Sequence, residues 1–271
     1  VTTHDYRPQH IQVAAGLRER IASGDLGPGE KLPSEPELAA AYGVSRTTVR
    51  HAIDVIRGEG LIRTEKGRGT FVRIPRHPVR RDHTTRYQWE KDRALLTPLE
   101  RGETGATEHD TGLEMGDLLF TAGYEMTAAP GDVAERFGIP EGTPMLRRTY
   151  ATSVREAKDV PLNIVTSWLR YDLVAANPDL LDSGNEPWPG GTMHQLRTVG
   201  IEIDKITDEL TGRPASDDEK HLLDLDDGES VLVLRKTSID TAGDVAEYSE
   251  VILPGDRTVF AYTTQLQRWP A

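Results

Sequence analysis

The 271-residue chain has no cysteine, which excludes a disulfide framework, a thiol nucleophile and any thiolate metal site. It also lacks a run of about eighteen apolar residues and a charged-then-apolar leader. Neither a membrane span nor a secretory signal is expected, and the expected location is the cytoplasm. Its eight histidines show no His-x-x-Glu or His-x-x-x-His spacing, so metal catalysis has no support and no cofactor is expected. No Gly-rich phosphate loop or nucleophile elbow stands in the C-terminal part, which argues against an enzyme.

Positive charge is scarce in the chain as a whole, which carries a net −12, yet it is unevenly spread. Residues 1–80 hold 13 Lys and Arg against 9 Asp and Glu, whereas residues 81–271 hold 19 against 35. Affinity for nucleic acid depends on local basic surface, so the first segment is suited to meeting DNA and the acidic remainder would be repelled by phosphates. The length fits two domains.

The basic segment carries dense local signals. Ile11, Ala14, Leu17 and Ile21 fall at near-helical spacing between Gln9 and Ser23, predicting an amphipathic helix. Lys31-Leu32 suits a short edge strand. Ser34 followed by Glu37 is a capping box that starts a second helix, and Gly43 after Tyr42 suits the left-handed position that ends it. Ser45 caps a third helix, in which Val49, Ile53 and Ile56 form one buried stripe and Arg46, Thr47 and Arg50 face outward. Arginine and threonine are residues that read base edges, and the helix starts at Ser34 and Ser45 offer N–H groups to phosphates. Strand-like residues flank Lys66-Gly67-Arg68-Gly69, whose two glycines allow a basic hairpin tip to approach a groove. Taken alone, Ser45 to Arg50 would read as a capped surface helix with solvated arginines; its neighbours change that reading.

This order of elements resembles the winged helix-turn-helix head of the GntR family of bacterial transcription regulators, over about residues 9–74. The resemblance implies that Ser45, Arg46, Thr47, Arg50 and the tip Lys66, Gly67, Arg68 and Gly69 contact double-stranded operator DNA, with Ser34 and Glu35 near the backbone. Many relatives have arginine where this chain has Pro36, so one contact is expected to be missing.

Residues 76–92, rich in proline and arginine, read as an extended linker between a head at 1–75 and a body at 93–271, with a solvated charge run including Arg80 and Arg81. In the body, Phe137 to Leu146 echoes Leu223 to Leu232 without gaps, each a helix end, a Gly turn and a strand entry. Further strands are predicted at Pro161–Leu169 and Ala246–Leu253, a helix at Met193–Val199 and a turn at Trp188–Gly191. The fold class is α+β, with an N-terminal winged helix-turn-helix and a C-terminal mixed antiparallel sheet with helices. Asp217-Asp218-Glu219 after Ser216 reads as a capped first helical turn rather than a metal cluster.

With its head, this plan resembles the HutC subfamily. The resemblance rests on Gly142-x-x-Met145-Leu146, Ser167-Trp168-Leu169, Gly228-x-x-Val231-Leu232 and Glu247-Tyr248-Ser249-Glu250. It implies a chorismate-lyase-like UTRA domain that binds a small-molecule effector and forms a homodimer. Candidate effector residues are Arg148, Tyr150 and Thr152 on one strand, Asn163, Val165 and Ser167 on the next, and Tyr248 and Glu250 on the last long strand. Sugar-phosphate-binding relatives hold the phosphate with two arginines at positions that fall here on Tyr150 and Thr152, so the expected effector is less charged or more apolar. The expected function is a DNA-binding repressor modulated by that effector; the alternative is a DNA-binding head fused to an enzymatic or ligand-independent dimerisation domain.

Overall fold

The structure, a computed structural model, describes residues 6–65, 67–74, 78–155 and 160–269. It divides into two compact units: Val1–His77 with Pro214–His221 and Leu225–Ser230, and Pro78–Arg213 with Leu222–Asp224 and Val231–Ala271. Among the described residues no helix is long and apolar enough to cross a membrane.

In the first unit, α1 (Gln9–Ala22), α2 (Glu35–Tyr42) and α3 (Arg46–Gly58) are followed by the hairpin β1 (Ile62–Glu65) and β2 (Gly69–Val72). The stripe read from α3 is buried as Val49, Ile53 and Ile56, and it joins Leu17 of α1, Leu38 of α2 and Ile62 of β1 in one core. Each such side chain contributes about 1.5–3 kcal/mol through burial. The helix starts are local. Glu37 accepts from the backbone N–H and the hydroxyl of Ser34, both at 2.7 Å, and Ser45 Oγ accepts from the Thr48 N–H at 3.1 Å. Gly43 ends α2 at φ 66°, a left-handed conformation that costs a side-chain-bearing residue more. Lys31 bridges Phe71 beside the hairpin, as the edge-strand reading expects.

The segment expected to be a linker is structured. Residues Val79–Asp82 form β3 and Arg86–Arg93 form α4; Pro75 to His77 lie outside the described residues. β3 pairs in parallel with the last strand, Arg80 standing opposite Val259. Its partner is thus distant in sequence, and no local pattern announces it. Arg81, expected to be solvated, is buried at 6% exposure.

The second unit continues with α5 (Pro98–Glu103), α6 (Ala106–Thr111), β4 (Leu118–Ala128), α7 (Gly131–Phe137), β5 (Pro144–Val154), β6 (Val160–Arg170) and α8 (Tyr171–Val174). Then come α9 (Gly191–Thr198), β7 (Ile203–Pro214), α10 (Asp217–Leu223, of which residues 217–221 belong to the first unit), β8 (Ser230–Asp240), β9 (Val245–Pro254) and β10 (Thr258–Ala261). Six strands form one sheet in the order β4-β5-β6-β9-β8-β7. The internal echo is a true structural repeat. Each half runs strand, helix, strand, strand; Gly142 and Gly228 take matching φ values of 84° and 87° before β5 and β8. The last strands of the two halves, β6 and β9, pair antiparallel at the centre.

Residues Asp217-Asp218-Glu219 form the capped turn: Glu219 accepts from the Ser216 N–H at 2.8 Å, and the Glu219 N–H donates to Ser216 Oγ at 3.3 Å. One face of the sheet packs Met145, Trp168 and Tyr248 against Val133 and Phe137 of α7. The other packs Leu146 and Leu169 against Val174 and Leu196, and beside that core it leaves a cavity.

Candidate functional site

In the first unit, Ser45, Arg46, Thr47 and Arg50 are all exposed on the N-terminal part of α3. Arg50 is not idle: its Nε donates to both Glu35 carboxylate oxygens, at 3.0 and 2.8 Å, which fixes the side chain while leaving its terminal nitrogens for other partners. At the hairpin tip Gly67 and Gly69 take φ values of 77° and 126°. A β-carbon on Gly69 would also sit 2.5 Å from Lys31 Cε, so the tip requires glycine there for space as well as conformation. Arg68 is exposed, pairs with Glu65 and lies 5.9 Å over the Phe71 ring. Lys66 lies outside the described residues.

In the second unit the sheet floors a cavity of about 360 Å³, the size of a small-molecule site. Cross-strand pairs bring side chains to the same face, and two rows run across four strands. One is Arg148, Ser167, Ser249 and Lys236; the other is Tyr150, Val165, Val251 and Leu234. Thr152 and Asn163 pair beyond them. Of the residues expected from sequence, Tyr150, Thr152, Asn163, Val165 and Ser167 line the cavity together.

Three expected residues do not. Tyr248 lies on the opposite face, stacked on Trp168 at 5.4 Å and under the Arg136 guanidinium. Glu250 pairs there with Arg235 at 3.0 Å. The cavity-facing residues of β9 are Glu247, Ser249 and Val251, one position off the expected set. β9 is buried along both faces, so its sequence shows no alternation from which the face could be read. Arg148 sits beneath the lining, only 1% exposed. It donates to Gln195 Oε1 and Glu247 Oε1, each at 2.6 Å, and to Ser167 Oγ at 2.8 Å.

That network sets the charge state of the floor. Burial by itself would raise the Glu247 pKa, but Lys236 and Arg148 outweigh it and hold the carboxylate down at about 2. Lys236 pairs with its other oxygen at 3.0 Å. Burial opposes the Arg148 charge too, yet Tyr150 and Glu247 raise its pKa. Glu186 closes one side, accepting from Tyr150 Oη at 3.1 Å, from Gln195 Nε2 at 3.0 Å and from the Trp188 N–H at 2.7 Å. Burial, countered only in part by Arg148, pushes the Tyr150 hydroxyl well above its ordinary pKa, so it stays a neutral donor.

Part of the roof comes from the segment expected to be a linker. Arg86, Glu90 and Arg93 recur on one side of α4 and all line the cavity. Arg86 pairs with Glu90 at 2.9 Å and with Asp110, and Arg81 lies 3.6 Å from the same Asp110. Burial and the neighbouring Arg86 lower the Arg81 pKa to about 10, which leaves it charged at neutral pH. Gly190, Gly191 and Thr192 bring the start of α9 to the wall. Sequence reasoning missed this roof, and α4 carried no signal that could have assigned it to a pocket. The floor was partly legible because alternate residues of a strand share a face, which set Tyr150 and Thr152 of β5 and Asn163, Val165 and Ser167 of β6 together.

The chain resembles known protein families in two separate stretches. Residues 10–72 match the family model for bacterial regulatory proteins of the gntR family, and residues 122–258 match the UTRA domain. An uncharacterized HTH-type transcriptional regulator of Streptomyces coelicolor is 30% identical over 258 residues, covering 94% of this chain and 92% of its own. The HTH-type transcriptional repressor NagR of Bacillus subtilis is 28% identical and is covered over 94% of each chain. A crystal structure of a GntR-family transcriptional regulator aligns with a TM-score of 0.64 at 26% identity, covering 96% of this chain and 99% of that one.

Proposed function

The chain belongs to the gntR family of bacterial regulatory proteins, with the winged helix-turn-helix and UTRA domain of HutC-type regulators, and on that premise we propose that it is a homodimeric repressor released from its operator by a small molecule in the cavity of the second unit. It is a DNA-binding transcription regulator and not an enzyme. Its working compartment is the cytoplasm, where the operator is.

On DNA, α3 enters the major groove with Ser45, Arg46, Thr47 and Arg50 toward the bases and phosphates. Ser34 and Glu35 stand near the backbone, and the tip Lys66, Gly67, Arg68 and Gly69 meets the adjacent minor groove. The exposure of these α3 residues over a buried stripe supports this reading. One recognition helix reads only a few base pairs, so two heads on a near-palindrome supply the missing affinity and specificity.

The observation that carries the switch is the cavity, with Tyr150, Thr152, Asn163, Val165 and Ser167 joined by Ser249 and Lys236. Release needs no covalent step. A ligand that binds the DNA-incompetent state more tightly lowers operator affinity by that difference in binding free energy. Genomic footprinting with the purified protein gives the operator, and a mobility-shift titration with metabolites of the neighbouring genes gives the ligand. Binding of one head per site at every concentration would overturn the dimer. Operator affinity indifferent to every cavity ligand would leave a ligand-independent DNA-binding protein.

A further inference from the structure

Most charged groups on the cavity wall are answered within the protein. Arg81 and Arg86 share Asp110, Arg86 also has Glu90, and Lys236 has Glu247. Among the described residues two cations of the wall have no ion pair, Arg101 and, more deeply buried, Arg93. Arg93 is only 6% exposed and lines the cavity. No hydrogen bond or ion pair to its guanidinium is found among the described residues, and its Nε is buried without a partner. It lies 5.1 Å over the Trp89 ring, a contact that holds the cation without neutralising it. Burial lowers the Arg93 pKa, and Glu90 and Glu108 offset this only in part.

The surroundings add positive potential. A β-carbon on Gly191 would meet Arg93 Nη2 at 3.5 Å, and one on Gly190 would stand 2.7 Å from Arg101 Cδ. Both glycines have positive φ, 95° and 60°. The turn thus lets two arginines close over the beginning of α9, an eight-residue helix whose first N–H, on Gly191, donates to the Trp188 carbonyl at 2.8 Å and whose first turn carries the positive end of its dipole. Arg101 also lines the cavity; its Nη1 donates to the Leu96 carbonyl and its Nε is buried without a partner. Uncompensated cations at the positive end of a helix are costly out of water, and an anion removes that cost. Away from this corner the wall is mixed, and its apolar strip consists of Leu118, Phe120, Val165, Leu234 and Val251.

We propose that the effector is an amphiphilic acid, whose carboxylate or phosphate group is held by Arg93, Arg101 and the start of α9 while its apolar body lies over Val165, Leu234 and Val251. This rests on the cavity being the effector site and names the chemical class it takes.

The test uses the full chain and Arg93→Met, with Arg93→Lys as the charge-retaining control. Thermal stability is followed against benzoate, phenyl phosphate and neutral benzamide at ionic strength matched with sodium chloride. In the wild type, benzoate or phenyl phosphate raises Tm saturably and benzamide does not; the more effective of the two identifies the head group. Arg93→Met, which removes an unpaired buried charge, has an unchanged or higher Tm without ligand, and its anion affinity falls about tenfold or more. Arg93→Lys retains part of the response. The proposal is overturned if benzamide matches both anions, if neither anion acts beyond chloride, or if Arg93→Met responds like the wild type. A mobility shift separates this from the parent reading. A neutral ligand that binds and alters operator affinity sinks the acid but keeps the effector site. An anion that needs Arg93 and leaves operator affinity unchanged keeps the acid site but sinks its role as effector.

Discussion

Arg148 and Glu247 meet at 2.6 Å across the intervening strand β6, with side-chain exposures of 1% and 3%. A pair this deep is held by mutual neutralisation and by the hydrogen bonds of Ser167 and Gln195. Removing Glu247 strands both Arg148 and Lys236 in a dry environment, whereas removing Arg148 leaves Glu247 with Lys236 alone.

Arg148→Met or Glu247→Gln alone is expected to destabilise the second unit by about 3–5 kcal/mol. The double variant is expected to cost less than the sum, because Arg148 is removed together with its acceptor and only Lys236 still loses Glu247. Urea denaturation of the four proteins measures the coupling; strict additivity would mean that the contact contributes nothing of its own.

The same carboxylate makes stability depend on acid. Burial favours protonation, but Lys236 and Arg148 hold Glu247 at about 2, below its ordinary 4.5. A depressed pKa contributes stability that is fully present above the unfolded value and is lost as pH falls through the folded one. The gap corresponds to roughly 3 kcal/mol. Stability should therefore decline from about pH 4.5 toward pH 2 more steeply in the wild type than in Glu247→Gln. Parallel pH profiles for the two proteins would exclude this origin.

In the first unit, Ile56→Ala opens a void in the core beneath α3 and should cost about 2–5 kcal/mol. Ser45→Ala removes the acceptor for the Thr48 N–H and should cost about 1 kcal/mol. Equilibrium denaturation followed by helix ellipticity measures both, and an Ile56→Ala loss no larger than that of Ser45→Ala would contradict the burial of the stripe.

For DNA, Arg46→Ala should cost about 1–3 kcal/mol and relax preference at one base position if the arginine reads a base edge. Arg68→Ala should instead lower affinity evenly across sequences and reduce the salt slope by about 1 if it holds phosphate. Binding isotherms on the footprinted operator and on single-base variants, at several salt concentrations, separate the two roles. Identical profiles for the two variants would refute the division.

At the cavity corner, Gly190→Ala places a β-carbon 2.6 Å from His194 Cβ at a positive φ. The substitution should lower stability by about 1–3 kcal/mol and weaken the response to benzoate or phenyl phosphate through displacement of Arg101. Differential scanning calorimetry with and without the anions reads both effects; a stable variant with an unaltered anion response would show the turn to be dispensable.

The sequence by itself determined the first unit almost completely. Ser34, Gly43 and Ser45 place helix ends through interactions spanning at most a few residues, and Val49, Ile53 and Ile56 declare a buried face by spacing alone. The repeat of Gly142 and Gly228 was visible for the same reason: a left-handed turn before a strand is a local requirement. Tertiary structure decided the rest. Arg80 to Asp82 became a strand only because residues 258–261 lie beside them, and a proline- and arginine-rich stretch gives no hint of a partner so far along the chain. Which face of β9 meets the cavity was hidden because both faces are buried, leaving Tyr248 and Glu247 equally plausible from pattern. The expectation of a weakly charged effector came from Tyr150 and Thr152 on β5, while Arg93 and Arg101 reach the cavity from helices on its roof. Caps, turns and stripes are written in adjacent residues, whereas the charge of a cavity is the sum over side chains brought together from distant segments, and only the folded chain performs that sum.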